Sequence, residues 1–365
     1  MKNKLNHLFA FVSEQAIDAV SVLFDDAFDI QHVTLVGLKR DMHKAQPISR
    51  VLKDRLSVQV EMRVLPTPRK PAEFIAAMQH LIRQAQGRVA INLNTDDAVC
   101  ACLALEAAQQ LQTPVFAVET QFDRLVWLSA NERLLPAQAI DDKLHCLDVF
   151  EMHGFSYIHV KPVSSYAEKL QCAAELLPLV VNDETFITRC LPRYGQALKP
   201  GHSARILYPL LGKYGLAQQT ENKQWQLVNE DALHFIRGNW LEFAVFDVVT
   251  RLAKPLGMVD WHRAWQVRHQ TSGLVCEFDI VFMLNNELHI IECKSGDSRG
   301  GKFLSHFEGM TRSHGLRART MLVSVDELSS TLLEVANGLG TATIHGVQLL
   351  QLSKNLEKWM RNVSA

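Results

Sequence analysis

The sequence predicts an α/β protein in three parts: an N-terminal domain on a parallel sheet, a small helical connector, and a C-terminal α/β domain. Three observations carry this. Strand-like apolar runs alternate with helical patterns over residues 1–130, which implies crossover connections and a mainly parallel sheet. A motif-poor stretch containing the adjacent pair Pro200-Gly201 follows, a natural break between units. Two β-rich runs with charges gathered at one end then appear within 274–294, preceded by a long helical pattern. A length of 365 residues accommodates two or three domains at roughly 150 residues each.

In the first part, LFAFV (8–12), HVTLVGL (32–38), VQVEMRVL (58–65) and RVAINLN (88–94) read as strands. AIDAVSVLFDDAF (16–28) and EFIAAMQHLIRQAQ (73–86) read as helices between them, the second with Phe74, Ala77, Met78, Leu81 and Ile82 at helical spacing. Parallel sheets bind ligands outside the C-terminal ends of their strands. Those ends carry Ser13, Glu14 and Gln15, then Lys39 and Arg40, then Arg69 and Lys70, then Asn94 and Thr95. Two readings stand: ordinary loop chemistry, with Thr95 or Asp96 capping the next helix, or a ligand crevice. Asp96 and Asp97 at that helix start argue against a simple phosphate cradle, because carboxylates compete for the amides a phosphate needs. No GxGxxG or Walker motif occurs. VFAVE (115–119) and RLVWL (124–128) predict a hairpin at the sheet edge.

Composition narrows the function. Hydrophobic residues make up 47% and charged residues 21%, as in folded globular proteins. With 38 Lys and Arg against 39 Asp and Glu, a polybasic nucleic-acid binder is excluded, though a local basic groove is not. No apolar run reaches membrane-spanning length. MKNKLNHLFAFVSEQ meets Ser13 and Glu14 too early for a secretory signal. Seven scattered cysteines without a CxxC point to reduced cytosolic thiols and a cytoplasmic protein rather than to disulfides or a zinc site. The middle is less informative. KPVSSYAEKLQCAAELLPLVV (161–181) holds one amphipathic helix, and 204–237 reads as a bracing connector or a small winged-helix-like unit. The expected boundaries are 1–135, 136–237 and 238–365.

The chemistry lies between 240 and 302. In LVCEFDIVFMLNNELHIIECK (274–294), Asn285-Asn286 suits a two-residue hairpin loop, because Asn tolerates positive φ. That loop places Val281 opposite Ile290, Asp279 opposite Glu292 and Glu277 opposite Lys294. Alternation then puts Glu277, Asp279, Glu292 and Lys294 on one face. Phe278, Ile280, Phe282, His289, Ile291 and Cys293 fall on the other. Facing carboxylates repel unless a proton or cation lies between them, and hard divalent cations prefer such oxygens. Lys294 is placed to orient or help deprotonate an attacking water, and to offset charge on a phosphate. In NWLEFAVFDVVTRLAKPL (239–256), Leu241, Ala244, Val245, Val248, Val249 and Leu252 mark a buried face. Glu242 borders that face as a candidate third ligand.

A helical Glu242, a strand Asp279, then Glu292-x-Lys294 resembles the signature of restriction-endonuclease-like PD-(D/E)XK nucleases. NWLE, CEFDIVFMLNNELHIIECK and LRARTMLVS, with FVSEQ after the first strand and a hairpin ending VWL, are similar to a narrower family. That family joins a Rossmann-like CRISPR-associated sensor (CARF) to this nuclease. The resemblance spans most of the chain. It implies a homodimeric effector of type III CRISPR defence, whose sensor binds a cyclic oligoadenylate, typically cyclic tetra-adenylate. Its nuclease would use Mn2+ or Mg2+ to cut DNA, RNA or both. Carried over, Glu242, Asp279 and Glu292 would hold metal, Lys294 would assist the water, and Ser13, Gln15, Asn94 and Thr95 would contact the ligand. Thr95-Asp96-Asp97 stands where many relatives have a Thr-Gly-Gly turn, and RSHGLRA (312–318) where they often have Gly-Gly.

Arg299 and Lys302, in the Gly-rich SGDSRGGKF, would contact phosphates; the other reading is a plain surface loop. Trp261 and Trp265 are expected in the core rather than stacked on bases. Neither HxxxH nor HExxH occurs among the fifteen histidines. Two further functions remain open: a nucleotide sensor that does not cut, and a transposition or repair endonuclease of the same fold. The complete Asp279, Glu292 and Lys294 set argues against the first, and the N-terminal domain against the second.

Overall fold

A computed structural model of the chain describes residues 5–122, 124–129, 138–141, 143–158, 166–183, 186–191, 201–296, 304 and 315–361. The first domain runs β1 (His7–Phe11), α1 (Ala16–Val20), β2 (His32–Leu38), α2 (Ala45–Leu56), β3 (Gln59–Leu65), α3 (Pro71–Gln84), β4 (Val89–Asn92), α4 (Ala98–Gln110), β5 (Val115–Glu119), β6 (Arg124–Ser129) and β7 (Gln138–Ala139). Its seven-stranded sheet has the order β3-β2-β1-β4-β5-β6-β7. The first five in that order are parallel, and β5–β6 forms the expected hairpin, with the two-residue β7 rather than β6 at the sheet edge. The strand order reverses between β1 and β4, and a ligand crevice opens at such a switch point.

Local physics explains the boundaries. Helix α3 buries Phe74, Met78 and Ile82 along one stripe. The helix expected over 16–28 is shorter: α1 passes into a 3-10 turn, Ser21–Phe24, and ends as Asp25 turns extended. The Asp25 carboxylate then accepts the Ala27 amide at 2.7 Å, a local bond that competes with helix continuation. Helix α2 was not among the sequence expectations, although Ile48, Val51 and Leu52 carry its buried stripe. Its Pro47 sits in the first turn, where a missing N–H costs nothing.

The remaining elements are α5 (Cys146–Met152), β8 (Phe155–Tyr157), α6 (Tyr166–Asn182), α7 (Ala204–Lys213), β9 (Ala217–Gln219), β10 (Trp225–Leu227), α8 (Glu230–His234), α9 (Trp240–Leu256), β11 (Trp261–His269), β12 (Val275–Leu284), β13 (Glu287–Lys294), β14 (Ala318–Ser324), α10 (Ser330–Gly338), β15 (Ala342–His345) and α11 (Leu352–Arg361). The second sheet has the order β15-β14-β13-β12-β11-β8. The expected connector therefore lends strands to both sheets: Gln138–Ala139 extends the first and Phe155–Tyr157 edges the second. Between 201 and 234, α7, the β9–β10 hairpin and α8 follow in winged-helix-like order. They act as a brace, since Leu207, Leu211 and Leu227 share one core with α6, α9 and the second sheet.

The two domains also share a core. Val20 and Leu52 of the first domain belong to the same apolar cluster as Phe150 of α5 and Trp265, Phe278 and Ile290 of the second sheet. Such a continuous packed core transmits shifts rather than absorbing them. All seven cysteines are free thiols, and no helix among the described residues is long and apolar enough to cross a membrane.

Candidate active site

The hairpin forms as expected. Asn285 and Asn286 adopt φ of 53° and 50°, both in the left-handed region that Asn tolerates. Pairing runs from Leu284↔Glu287 to Ile280↔Ile291. There it stops, so the expected ladder pairs of Asp279 with Glu292 and Glu277 with Lys294 do not form. The Asp279 carboxylate instead accepts the Cys293 amide at 2.7 Å. Meanwhile β13 stays paired with β14 as far as Lys294↔Ser324. The sheet thus splays at this end, and a side chain, not a strand, satisfies the freed amide.

A second irregularity lies on the other side of Asp279. The β11–β12 ladder pairs Arg263↔Ile280 and Trp265↔Phe278 but omits Ala264 and Asp279. Ala264 has φ of 51°, unusual for a residue with a Cβ. Across this kink the faces exchange. Ile280 and Phe282 pack with α9, whereas Phe278 packs with Val281 and Met283 against the first domain's side. Phe278 therefore leaves the face that strict alternation assigned to it. Trp265 is buried as expected, and Trp261 packs partly buried on the α9 side.

The kink and the splay gather the charged groups. Helix α9 buries the stripe expected of it and also Trp240, Phe243 and Phe246. Glu242, with only 15% of its side chain exposed, accepts Arg263 Nη1 at 2.9 Å. Burial pushes the Glu242 carboxyl up to about 7, with Glu277 and Glu292 adding to the rise and Arg263 opposing it. Burial, then Glu292 and Glu242, likewise holds Asp279 well above the usual carboxylate range. Lys294 donates to Glu292. Its burial favours the neutral amine, but Glu292 and Asp279 outweigh that and keep the ammonium above its ordinary range. Glu277 instead accepts Gln266 Nε2 at 2.8 Å.

Glu242, Asp279, Glu292 and Lys294 are therefore brought together, as the sequence pattern required. Arg263 was missed. Its guanidinium lies 4.0 Å from the Phe243 ring centroid as well as on Glu242. An Arg within the strand run WHRAWQV was a visible signal, but its partner comes from another element. Arg299 and Lys302 lie outside the described residues.

At the switch-point crevice the expected residues divide. Ser13 is buried, and it lines a cavity of about 400 Å3 between the domains with Lys44, Arg50, His153, His269 and Gly315. Gln15 lines a smaller adjoining pocket beside Asp18 and Arg317 and accepts from Arg317 at 3.1 Å. The Asn94 amide bridges to Val118, donating at 2.8 Å and accepting at 2.7 Å, so it ties β4 to β5. Thr95 Oγ1 accepts the Asp97 amide at 3.3 Å. The cap of α4 is Asp97, not Thr95 or Asp96, since Asp97 accepts from Val99 and Cys100. Asp96 reaches across the crevice and accepts the Glu14 amide at 2.6 Å.

Sheet order, splayed hairpin and buried acid–lysine cluster together describe an α/β protein with two sheets and an acidic centre at the open end of the second. Residues 229–363 match the family model for the Card1-like endonuclease domain. No curated protein matches. Among solved structures, protein VC1899 from Vibrio cholerae aligns with a TM-score of 0.83 at 24% identity, covering 99% of this chain and 98% of that one. Can2 from Sulfobacillus thermosulfidooxidans, in complex with cyclic tetra-adenylate, aligns at 0.77 with 17% identity, covering 98% and 99%. A type III CRISPR defence DNA nuclease activated by cyclic oligoadenylate aligns at 0.58 with 18% identity, covering 98% of this chain and 52% of that one. At these identities the likeness shows a shared fold across both domains.

Proposed function

We propose that this chain is a metal-dependent nuclease of PD-(D/E)XK type, switched on by a cyclic oligoadenylate in type III CRISPR antiviral defence. The observation that carries the reading is the convergence of Glu242, Asp279, Glu292 and Lys294 at the open end of the second sheet, inside the segment that matches an endonuclease domain. The donor set suits Mn2+ or Mg2+ by type: all three groups are carboxylates, Glu292 raises the pKa of both Glu242 and Asp279, and a hard divalent cation relieves such crowding. Bound there, the cation would supply Lewis acidity toward a phosphate oxygen and a water.

The chain's own groups do the rest. Lys294, charged and tied to Glu292, would orient the water and offset charge building on the phosphoryl oxygens. Arg263 holds the Glu242 carboxylate in place. The Cys293 amide fixes Asp279 and leaves its second oxygen to a ligand. Substrate would be DNA, RNA or both.

The sensor reading rests on the switch-point crevice and the cavity beneath it. Lys44 pairs with Glu14 and Arg40 with Asp97, and the exposures are 28% and 62% in the first pair and 70% and 28% in the second. Exposed pairs of this kind contribute only about 0–1 kcal/mol, so a phosphate can take over both cations. Cyclic tetra-adenylate is the first ligand to test, in a homodimer. The test is cleavage of supercoiled plasmid and single-stranded RNA with Mn2+, with cyclic tri-, tetra- or hexa-adenylate added singly or omitted. The Asp279→Ala/Glu292→Ala protein is the control. Ligand-dependent cutting that the control lacks supports both halves. Cutting without ligand sinks the sensor half, and no cutting under any condition sinks the nuclease half.

A further inference from the structure

We propose that Cys146, Asp260 and His262, with His145 beside them, form a site for a divalent transition cation of zinc type at the junction of the two domains, separate from the carboxylate cluster. Donor atoms of Cys146, Asp260 and His262 all lie within 4.8 Å of one another. Cys146 Sγ is 3.3 Å from Asp260 Oδ1, His262 Nε2 is 3.1 Å from Asp260 Oδ2, and His145 Nδ1 is 3.6 Å from the same oxygen. Zinc takes sulfur at about 2.3 Å and nitrogen or oxygen at about 2.0–2.2 Å in a tetrahedron, so its ligands sit at about this spacing. Cys146, Asp260 and His262 supply one thiolate, one carboxylate and one imidazole, with the His145 imidazole beside the same carboxylate; such a borderline-soft set selects zinc, cobalt or nickel over magnesium and manganese.

The surroundings suit a bound ion. The Cys146 side chain is fully buried, Asp260 is 14% exposed, and His262 and His145 are 36% and 41% exposed, so entry is from the histidine side. Asp260 is held from behind: its carboxylate accepts the Cys146 amide at 3.0 Å, and its carbonyl accepts the Met283 amide at 3.0 Å. The His262 ring packs 4.2 Å from that of Trp265, an apolar wall of the kind that fixes ligand orientation. Binding breaks the S–H···O contact, places the thiolate on the metal and releases one proton to solvent. The site joins α5 to the start of β11. Helix α5 packs on α1 and α2 as well as on β8 and β12, so the ion would staple the junction through which the domains touch.

The test is a Co2+ titration of the full-length chain without nucleic acid, followed by zinc content after dialysis against zinc. Four proteins are compared: wild type, Cys146→Ser, His262→Gln and Asp279→Asn/Glu292→Gln. We expect a thiolate-to-cobalt charge-transfer band and tetrahedral d–d bands in the wild type and unchanged in Asp279→Asn/Glu292→Gln. The charge-transfer band vanishes in Cys146→Ser, and His262→Gln binds at least about tenfold more weakly. Serine and glutamine keep a hydrogen-bond donor toward Asp260, so both variants retain the metal-free Tm; zinc raises Tm only where the site is intact. No charge-transfer band in the wild type, or an undiminished one in Cys146→Ser, overturns the proposal. Loss of the band in Asp279→Asn/Glu292→Gln does so too, because it moves the metal to the carboxylate cluster.

Discussion

Arg317, at the entrance to β14, donates through Nη1 to Gln15 Oε1 at 3.1 Å and lies 3.6 Å from Asp18 Oδ2. This joins the loop after the first strand to the strand beside the nuclease pair β12–β13. The Glu14 carbonyl likewise contacts His153 Nε2 at 3.2 Å. These contacts tie the β1 loop to β14 and to the turn before β8.

Arg317→Gln should separate sensing from cutting. Ligand affinity should hold within a few-fold, while cleavage at saturating ligand falls about tenfold, the size of a typical coupling energy. Equilibrium binding and cleavage assays on the same preparation decide this. Equal losses in both would mean that Arg317 serves the ligand and not the link.

Arg263→Ala should be strongly destabilising. It removes the partner of a buried carboxylate and a cation seated 4.0 Å from the Phe243 ring. Breaking such a pair costs about 3–5 kcal/mol. Urea unfolding should show the loss, and Arg263→Ala/Glu242→Gln should recover much of it, because no unpaired charge remains.

Stability should fall as pH rises from about 4.5 to about 7. The Glu242 carboxyl titrates near 7 in the fold against an ordinary 4.5, so between those values the native state holds the extra proton. Stability then declines with pH, by up to about 3 kcal/mol for a rise of that size. Asp279 shifts in the same direction. Urea midpoints in EDTA from pH 5 to 8 test this, and Glu242→Gln should flatten the slope. Cation affinity should rise over the same window, since protons compete for the same oxygens.

Lys294→Met should lower kcat by about 100- to 1,000-fold, the cost of removing one charge-stabilising donor, with little change in fold. Asp279→Asn should abolish cutting yet raise Tm at pH 8, because it relieves a crowded buried acid. A fall in Tm for Asp279→Asn would contradict the repulsion argument.

Ala264→Gly should stabilise the protein by about 0.5–1 kcal/mol, since φ of 51° strains any residue with a Cβ. Ala264→Val should cost more than Ala264→Gly gains. Thermal unfolding of the pair tests whether the kink beside Asp279 is a strained position.

The elements most legible in the sequence were those governed by one period. Strands such as His32–Leu38 and Val115–Glu119, the α9 stripe and the Asn285-Asn286 turn follow from neighbours in the chain. Register near the turn followed too, because a two-residue loop leaves one pairing. The error began at Asp279, where strict alternation was extended through a positive-φ Ala264 and a side chain that replaces a ladder bond. Neither has a local signal.

The sequence by itself determined the first sheet's parallel strands and their hairpin, the Asn285-Asn286 turn with the strands beside it, the α9 stripe and the four residue types of the site, because side-chain periodicity and turn chemistry act over a few residues. Only the tertiary structure decided that Lys294 faces Glu292 rather than Glu277, that Arg263 holds Glu242, that Asn94 braces β5, and that Asp260 meets Cys146 across 114 positions. Those contacts join distant segments. They depend on sheet splay, helix packing and the shared core between the domains, which set distances that no local pattern encodes.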